Sequence, residues 1–317
     1  MKDSEDSYKT TLLSFLWQIL RSYKGWLFLM IQAPLIGAFF TPVNQYALKL
    51  IVDQITQNDV FTLKQILFPV ILYCSASITL EVVWRIANYA DYKSQPKIEA
   101  QIIDKSYSML LQHDYRFFQN NLSGKIASKI TGIRDGYIRI LDNFMFGLIW
   151  QVLSILIILA LLFSVHSKLA IGVVFWLVIF MPLMFLFKIR GLKYSEKATA
   201  QKQRISGLVN DGVSNIASVL FFRSRKFESK LIKGANADFI KCEKKRLKFL
   251  FINHLVMGII YSIVSVLVLF LLIDLRQENL ISIGDFVMVM GLMFFLIEST
   301  WGLLNNLDNL IQDYGNL

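Results

Sequence analysis

One acidic side chain stands alone in an apolar part of the chain and is the first candidate for chemistry. Glu298 follows a run of uncharged residues, and the closest charge on the same predicted helix is Asp308, ten residues further on. An unpaired charge in apolar surroundings is costly. A solitary carboxylate in this position therefore indicates contact with a substrate or with a coupled cation.

Other polar side chains in apolar segments have simpler interpretations. Glu81 and Arg85 are four residues apart, so on a helix they share one face and form an ion pair. Asn44, Gln45 and Asn305 are neutral. They either line the same site as Glu298 or bridge neighbouring helices by hydrogen bonds, and both interpretations stay open.

The chain offers little for catalysis. Its three histidines, His113, His166 and His254, do not have metal-ligand spacing, and two cysteines cannot build a disulfide framework. There is no G-x-x-x-x-G-K-[ST] loop to hold a nucleotide phosphate. The sequence therefore predicts no catalytic residue, no metal site and no cofactor bound by this chain.

The spacing of charges indicates an integral membrane protein. Of the 317 residues 55% are hydrophobic and 18% are charged, whereas soluble domains are about a quarter charged. A membrane-spanning helix needs roughly 20 apolar residues. Four charge-free runs meet this length, and two more do so if Glu81 and Glu298 lie within their spans. The six runs are 25–48, 65–80, 143–167, 169–187, 249–273 and 286–297.

The positive charges predict the topology. Of 33 Lys and Arg residues, 28 lie before residue 26, between 91 and 139, or between 188 and 248. By the positive-inside rule these three segments are cytoplasmic. Six spans return the C-terminus to the same side, in what we expect to be a bacterial inner membrane. The net charge of +10 then reflects topology and contact with lipid, and no nucleic acid is expected as a partner.

The ends of the spans predict two further features. Residues 1–24 have apolar side chains at helical spacing, which indicates an interfacial (elbow) helix before a six-helix domain over 25–317. Its apolar face consists of Leu12, Leu13, Leu16, Ile19, Leu20 and Tyr23. The inner loops 91–138 and 188–248 contain a single proline and recurring apolar residues, so each is expected to be a helical hairpin projecting roughly 30–40 Å from the membrane.

The tips of the two hairpins carry distinctive residues. In "DYRFFQNNLSGKIASKI", residues 114–130, Phe117 and Phe118 precede a turn. Exposed phenylalanines so far from lipid indicate a docking partner, unless they fold back between the hairpin arms. In "GLVNDGVSNIASVLFFRSRKFE", residues 207–228, Asp211 precedes a short predicted helix and Phe222 follows it.

On these residues the whole chain resembles the transmembrane domain of the ATP-binding cassette (ABC) exporters, of the half-transporter type. Gly124, Ser128 and Glu228 also match the family pattern. The departures are Lys129, where arginine is usual, Ile133, where aspartate is usual, and Asn215, where glycine is usual.

The resemblance implies an all-α membrane fold of six long helices with two cytoplasmic coupling helices that seat on nucleotide-binding domains, the second one on the partner subunit. The first would include Tyr115, Arg116, Phe117, Phe118 and Gln119, and the second Asp211, Ser214, Asn215 and Phe222. It also implies a homodimer around a cavity for an amphiphilic, lipid-like or drug-like substrate. ATP and Mg²⁺ would bind to a nucleotide-binding domain absent from this chain, either fused downstream or a separate subunit.

Two other classes of protein fit the sequence less well than an ABC exporter does. A secondary transporter or channel that needs no ATP predicts inverted repeats and broken helices at the bilayer midplane. It gives no reason for two long cytoplasmic projections. A membrane-embedded enzyme needs a cluster such as Ser/His/Asp at one depth, and the sequence offers none.

Overall fold

The computed structural model describes residues 14–57, 62–120 and 123–316, and these residues are almost entirely helical. A 3₁₀ turn, Arg21–Tyr23, precedes the first long helix, and a π-helical segment, Asn143–Ile149, joins the fourth helix to the fifth. No strand occurs in the described residues. The helices are α1 (Lys24–Gln57), α2 (Leu63–Leu110), α3 (Tyr115–Asn120), α4 (Ser123–Asp142), α5 (Trp150–Val165), α6 (Ser167–Ser214), α7 (Ile216–Phe221), α8 (Arg225–Gln277) and α9 (Ile283–Asn316).

Six helical stretches in this part of the chain are long and apolar enough to cross a membrane, which confirms the predicted all-α membrane fold. They are Ser14–Gln57, Leu63–Leu110, Ile126–Val165, Ser167–Ser214, Arg225–Gln277 and Ile283–Asn306. The helices α2, α6 and α8 contain 48, 48 and 53 residues. At about 1.5 Å per residue they are roughly two and a half times as long as the hydrocarbon core is thick.

Prolines inside the spans do not interrupt the helices. Pro34 and Pro42 lie within α1, Pro69 and Pro96 within α2, and Pro182 within α6. Each of these helices continues past its prolines. The broken spans that a secondary transporter would require are therefore absent from the described residues.

The chain folds as two compact units, each held together by its own contacts. The first comprises Met1–Val173 and Leu269–Leu317, and the second comprises Val174–Val268. In the second unit α6 and α8 pair side by side: Tyr194 stacks on Phe249 at 5.2 Å between ring centroids. Arg204 and Asp238 form an ion pair at 3.7 Å nearer the tip. The second inner loop is therefore a helical hairpin.

In the first unit α9 approaches its neighbours through glycines. The side chain of Gln45 on α1 lies against Gly291, so closely that no Cβ atom would fit. Gln151 on α5 lies against Gly302, and Asn306 lies against Gly147 of the π-helical segment. Small residues that let helices approach closely are typical of contacts between membrane helices. The polar amides of these residues occupy the space that the glycines leave.

Polar contacts join the ends of α1 and α9 that carry Lys49 and Asp285. Lys49 Nζ lies 2.6 Å from Asp285 Oδ1, and both side chains are largely buried. The backbone N–H of Gly284 donates to Asp53 Oδ1 at 2.8 Å. The backbone N–H of Ser282 donates to Asp285 Oδ2 at 2.9 Å, which caps α9. These bonds fix the register of the two helices.

The described part of the N-terminal segment is helical from residue 14 and packs against α2 and α4 within the first unit. Leu16 and Ile19 are buried against Ile98, Ile102 and Tyr137, whereas Trp17 is exposed. The 3₁₀ turn is the only interruption between residues 14 and 57. Leu12 and Leu13 of the predicted apolar face lie outside the described residues. The placement of this helix in the membrane interface stays a prediction.

The close approach at Gly284 predicts a destabilising substitution. A Cβ atom there would overlap the backbone oxygen of Lys49, which cannot rotate away. We expect Gly284→Ala to lower the free energy of unfolding by about 1–3 kcal/mol. The matched control is Gly172→Ala on α6, where a Cβ atom meets open space. That control should be neutral or slightly stabilising, because alanine is the better helix former.

The measurement is the thermal unfolding midpoint of the two variants in detergent. The close packing of α1 against α9 would be contradicted by equal midpoints for the two variants.

Candidate functional site

The short helix α3 closes the hairpin between α2 and α4. Backbone bonds from Leu111 to Tyr107 and from His113 to Leu110 end α2 in a turn at 3.0 and 3.1 Å. The N–H of Phe117 then donates to the carbonyl of Asp114 at 2.9 Å and starts α3. The helix Tyr115–Asn120 contains all five residues predicted for the first coupling helix.

The aromatic residues of α3 have two different environments. Phe117 stacks on His113 with 4.4 Å between ring centroids, and Phe118 meets Phe117 edge-on at 5.6 Å. Both phenylalanines are half-buried, whereas Tyr115 is 76% exposed. Arg116 and Gln119 are also exposed. The phenylalanines therefore shape the tip, and the outer surface that a partner would meet is formed by Tyr115, Arg116 and Gln119.

The second short helix, α7, lies between Asp211 and Phe222, where the sequence predicted a short helix. Asp211 and Ser214 belong to the last turn of α6, and Asn215 separates the two helices. The backbone N–H and the side-chain amide of Asn215 both donate to the carbonyl of Asp211 at 3.0 Å. Its φ of −107° is open to any residue, so glycine is not required here. The side-chain bond of Asn215 instead helps to hold the turn.

The chain reverses after α7 through a strained residue. The N–H of Phe222 donates to Ser218 O at 2.9 Å, and the N–H of Ser224 donates to Val219 O at 3.0 Å. Between them Arg223 has φ of +50°, in the left-handed region. Val219 is the buried residue of α7, whereas the following residues Leu220, Phe221 and Phe222 are exposed.

An exposed apolar surface results at this tip. Phe221 is 86% exposed and Phe222 is 84% exposed. With three other exposed residues they form what we call the α7 patch: Val213, Ile216, Leu220, Phe221 and Phe222. The sequence prediction named Phe222 and missed Phe221, although the FF pair in the sequence was the signal for both.

The predicted ion pair forms within α2. The Nε atom of Arg85 donates to Glu81 Oε1 at 2.8 Å, and a second guanidinium nitrogen contacts the same oxygen. Both side chains are exposed in this chain. Because the two charges neutralise each other on one helix, the pair does not require a partner elsewhere.

Glu298 lies on the exposed face of α9, which we define as Val287, Phe294, Glu298 and Asn305. These residues are spaced by seven, four and seven, so they follow one side of the helix. Within the described residues, Glu298 makes no hydrogen bond and no ion pair, whereas Asn305 does interact with other residues.

The other two predicted cavity residues lie between helices instead. Asn44 is buried in α1, and its Oδ1 atom has no hydrogen-bond donor among the described residues. Gln45 lies against Gly291 of α9. The structure therefore groups Glu298 with Asn305 and separates both from Asn44 and Gln45. No group of three or more His, Cys, Asp or Glu side chains that could hold a metal ion occurs in the described residues.

A comparison with known protein families accounts for this architecture. The family model for the ABC transporter transmembrane region matches residues 27–300 of the chain. The chain therefore belongs to this family: it is a membrane domain of an ABC transporter and an integral membrane protein.

A curated relative is similar over much of the same region. It is an uncharacterized ABC transporter ATP-binding protein of Haemophilus influenzae, 20% identical over 238 residues. The match covers 73% of this chain and 38% of the relative. The chain thus spans less than half the length of this relative.

The ion pair in α2 predicts an asymmetric effect of single and double substitutions. Arg85→Met leaves the Glu81 carboxylate unpaired in a membrane span, and we expect it to lower the stability of the chain in membranes by up to about 3 kcal/mol. The double substitution Glu81→Gln with Arg85→Met removes both charges and should restore most of that loss. The measurement is the yield and thermal midpoint of membrane-inserted protein for the three variants. A double variant no better than Arg85→Met would contradict the pairing.

Proposed function

We propose that this chain forms the translocation pathway of an ATP-driven exporter and transmits motions from nucleotide-binding domains through α3 and α7. The α7 patch carries the proposal. The charge-free part of α6 ends at residue 187, and α6 continues to Ser214, about 40 Å further along the helix. Lipid cannot cover an apolar surface at that distance, so a protein surface is the partner that fits.

The composition of both tips suits an interface with a folded domain. Large aromatic residues and arginine dominate the energy of protein interfaces when they enter pockets. The tip of the first hairpin presents Tyr115 and Arg116, and the α7 patch presents Phe221 and Phe222. Each pair lies on or directly after a short helix between long helices, so a push on the tip is transmitted along α2 and α4 or along α6 and α8.

The remaining parts of the proposal follow from the family and the charge pattern. The nucleotide-binding domain that binds ATP and Mg²⁺ follows on the same polypeptide. This is supported by the relative, which is named as an ATP-binding protein and continues well beyond the match. Both chain ends and the two tips lie in the cytoplasm of a bacterium, on the inner side of the inner membrane. The reason is that 28 of 33 basic residues belong to the N-terminal segment and the two hairpins, and basic segments stay in the cytoplasm.

A homodimer explains the uncovered face of the spans. In the most apolar window of α2 only 6% of the residues are buried inside this chain. Lipid and a second copy of the chain together would cover such a surface. The exposed face of α9 would then look into the cavity between the two copies, where an amphiphilic substrate is held and released by alternating access.

Transmission through the α7 patch predicts a loss of ATP-driven closure in Phe222→Asp. The reporter is Asn305→Cys on α9, in the full transporter with Cys74→Ala and Cys242→Ala. It is labelled by a membrane-impermeant thiol reagent added from the cytoplasmic side. With ATP and vanadate the labelling rate should fall severalfold, because the cavity closes to the cytoplasm. In Phe222→Asp the rate should stay at its ATP-free value, since a charge is placed in an apolar interface.

The matched control is Ile240→Asp, an exposed apolar residue on the arm of the same hairpin. It should close like the parent protein. A Phe222→Asp variant that closes normally would contradict the role of the α7 patch, and labelling that ignores ATP in the parent protein would contradict alternating access.

A further inference from the structure

The apolar spans retain one unbalanced charge. Arg85 neutralises Glu81 within α2, and Lys49 neutralises Asp285 between α1 and α9. Glu298 has no such partner among the described residues. Among the described residues of the predicted spans, Glu298 is therefore the acidic side chain without a partner.

Glu298 lies well inside the last predicted membrane span. It lies fifteen residues after the start of α9 at Ile283, about 22 Å along the helix. Asp308 is ten residues away in the other direction, about 15 Å. The side chain of glutamate is far shorter than either distance, so its carboxylate stays at this depth. In the proposed cavity the positive charge of a bound ligand would therefore pair with the carboxylate at this depth.

The neighbours of Glu298 on the exposed face of α9 indicate what balances it. Phe294 lies one turn away and is 69% exposed. An aromatic ring next to a carboxylate attracts a positive charge both through the carboxylate and through the ring face. It also offers apolar area to the body of a ligand. The combination suits an organic cation with an apolar body.

A bare inorganic cation suits this face less well. Hard metal ions require several oxygen ligands close together. The exposed face of α9 offers oxygens from Glu298 and Asn305, which are seven residues and about 10 Å apart along the helix. Val287 and Phe294 provide none. One copy of this face therefore cannot surround a metal ion.

We propose that Glu298 and Phe294 form a binding site for amphiphilic substrates that carry a positive charge, such as an amine or another organic cation. The inference rests on the proposed exporter function and deepens it by giving the sign of the substrate's charge. Glu298 selects the charge, and Phe294 contacts the apolar body of the substrate.

The test compares two probes of equal size and opposite charge. Tetraphenylphosphonium is a cation and tetraphenylborate is an anion, and both have the same apolar body. Their binding to the full transporter in lipid nanodiscs is measured by equilibrium dialysis without ATP, with empty nanodiscs subtracted. The variants are Glu298→Gln, Glu298→Asp and Phe294→Ala. The control is Glu278→Gln, an exposed carboxylate in the turn before α9.

The expected result is that the parent protein and Glu278→Gln bind the cation and not the anion. Glu298→Gln should weaken cation binding by roughly tenfold or more, the scale of one lost charged contact. Glu298→Asp keeps the charge and should retain most of the affinity, which separates loss of charge from loss of fold. Phe294→Ala should weaken the cation without admitting the anion.

Three results would overturn the proposal: equal binding of both probes by the parent protein, unchanged cation binding in Glu298→Gln, or no cation binding in the parent protein. None of them bears on the exporter function, which the ATP-dependent labelling of Asn305→Cys tests separately. Conversely, labelling that ignores ATP would reject alternating access and leave the charge selectivity measured here intact.

Discussion

Within hydrocarbon a helix must satisfy every backbone N–H and C=O group by its own bonds, and this constraint shapes the whole chain. It explains why the spans run through their prolines without a break, and why positive φ angles are confined to the connections. The two non-glycine residues with positive φ in the described part of the chain, Arg223 and Asn279, both lie in turns between helices. Under the proposed function, helices that continue through the membrane and far beyond it would act as stiff connectors between the hairpin tips and the substrate cavity.

The helix α9 joins the packing of the first unit to its chemistry. Its glycines admit polar side chains of α1 and α5 at close range, which fixes its position. Its exposed face carries Phe294 and Glu298 away from those contacts. A substrate that binds this face would therefore act on a helix already tied to α1 by the Lys49–Asp285 pair. In this arrangement, a shift of α9 on substrate binding would also move the Lys49–Asp285 end of α1 and α9.

Features that depend on local spacing were predictable from the sequence. The number of spans follows from the spacing of charges, because charges are excluded from lipid over a fixed thickness. The Glu81–Arg85 contact follows from a separation of four residues on one helix. The long hairpins follow from two basic loops without helix-breaking composition. Each of these conclusions needs only residues close together in the chain.

Features that depend on distant residues were not predictable in the same way. The π-helical segment has no sequence signal and occurs where Gly147 meets Asn306 of α9. Gln45 was predicted to line a cavity or bridge helices, and only the position of Gly291 shows that it lies between α1 and α9. The sequence predicted a short helix between Asp211 and Phe222, but it did not show that α6 continues to Ser214 before that helix begins. Single-sequence patterns do not contain such contacts.

Site-specific photocrosslinking tests most directly whether the α7 patch docks on a nucleotide-binding domain. Benzoylphenylalanine would replace Phe222 or, as the control, Ile240 in the full transporter in native membranes. Illumination followed by mass spectrometry of cross-linked peptides should join position 222 to peptides of the nucleotide-binding domain and leave position 240 largely unlinked to it. Crosslinks from position 222 only to lipid or to α6 and α8 would contradict the account.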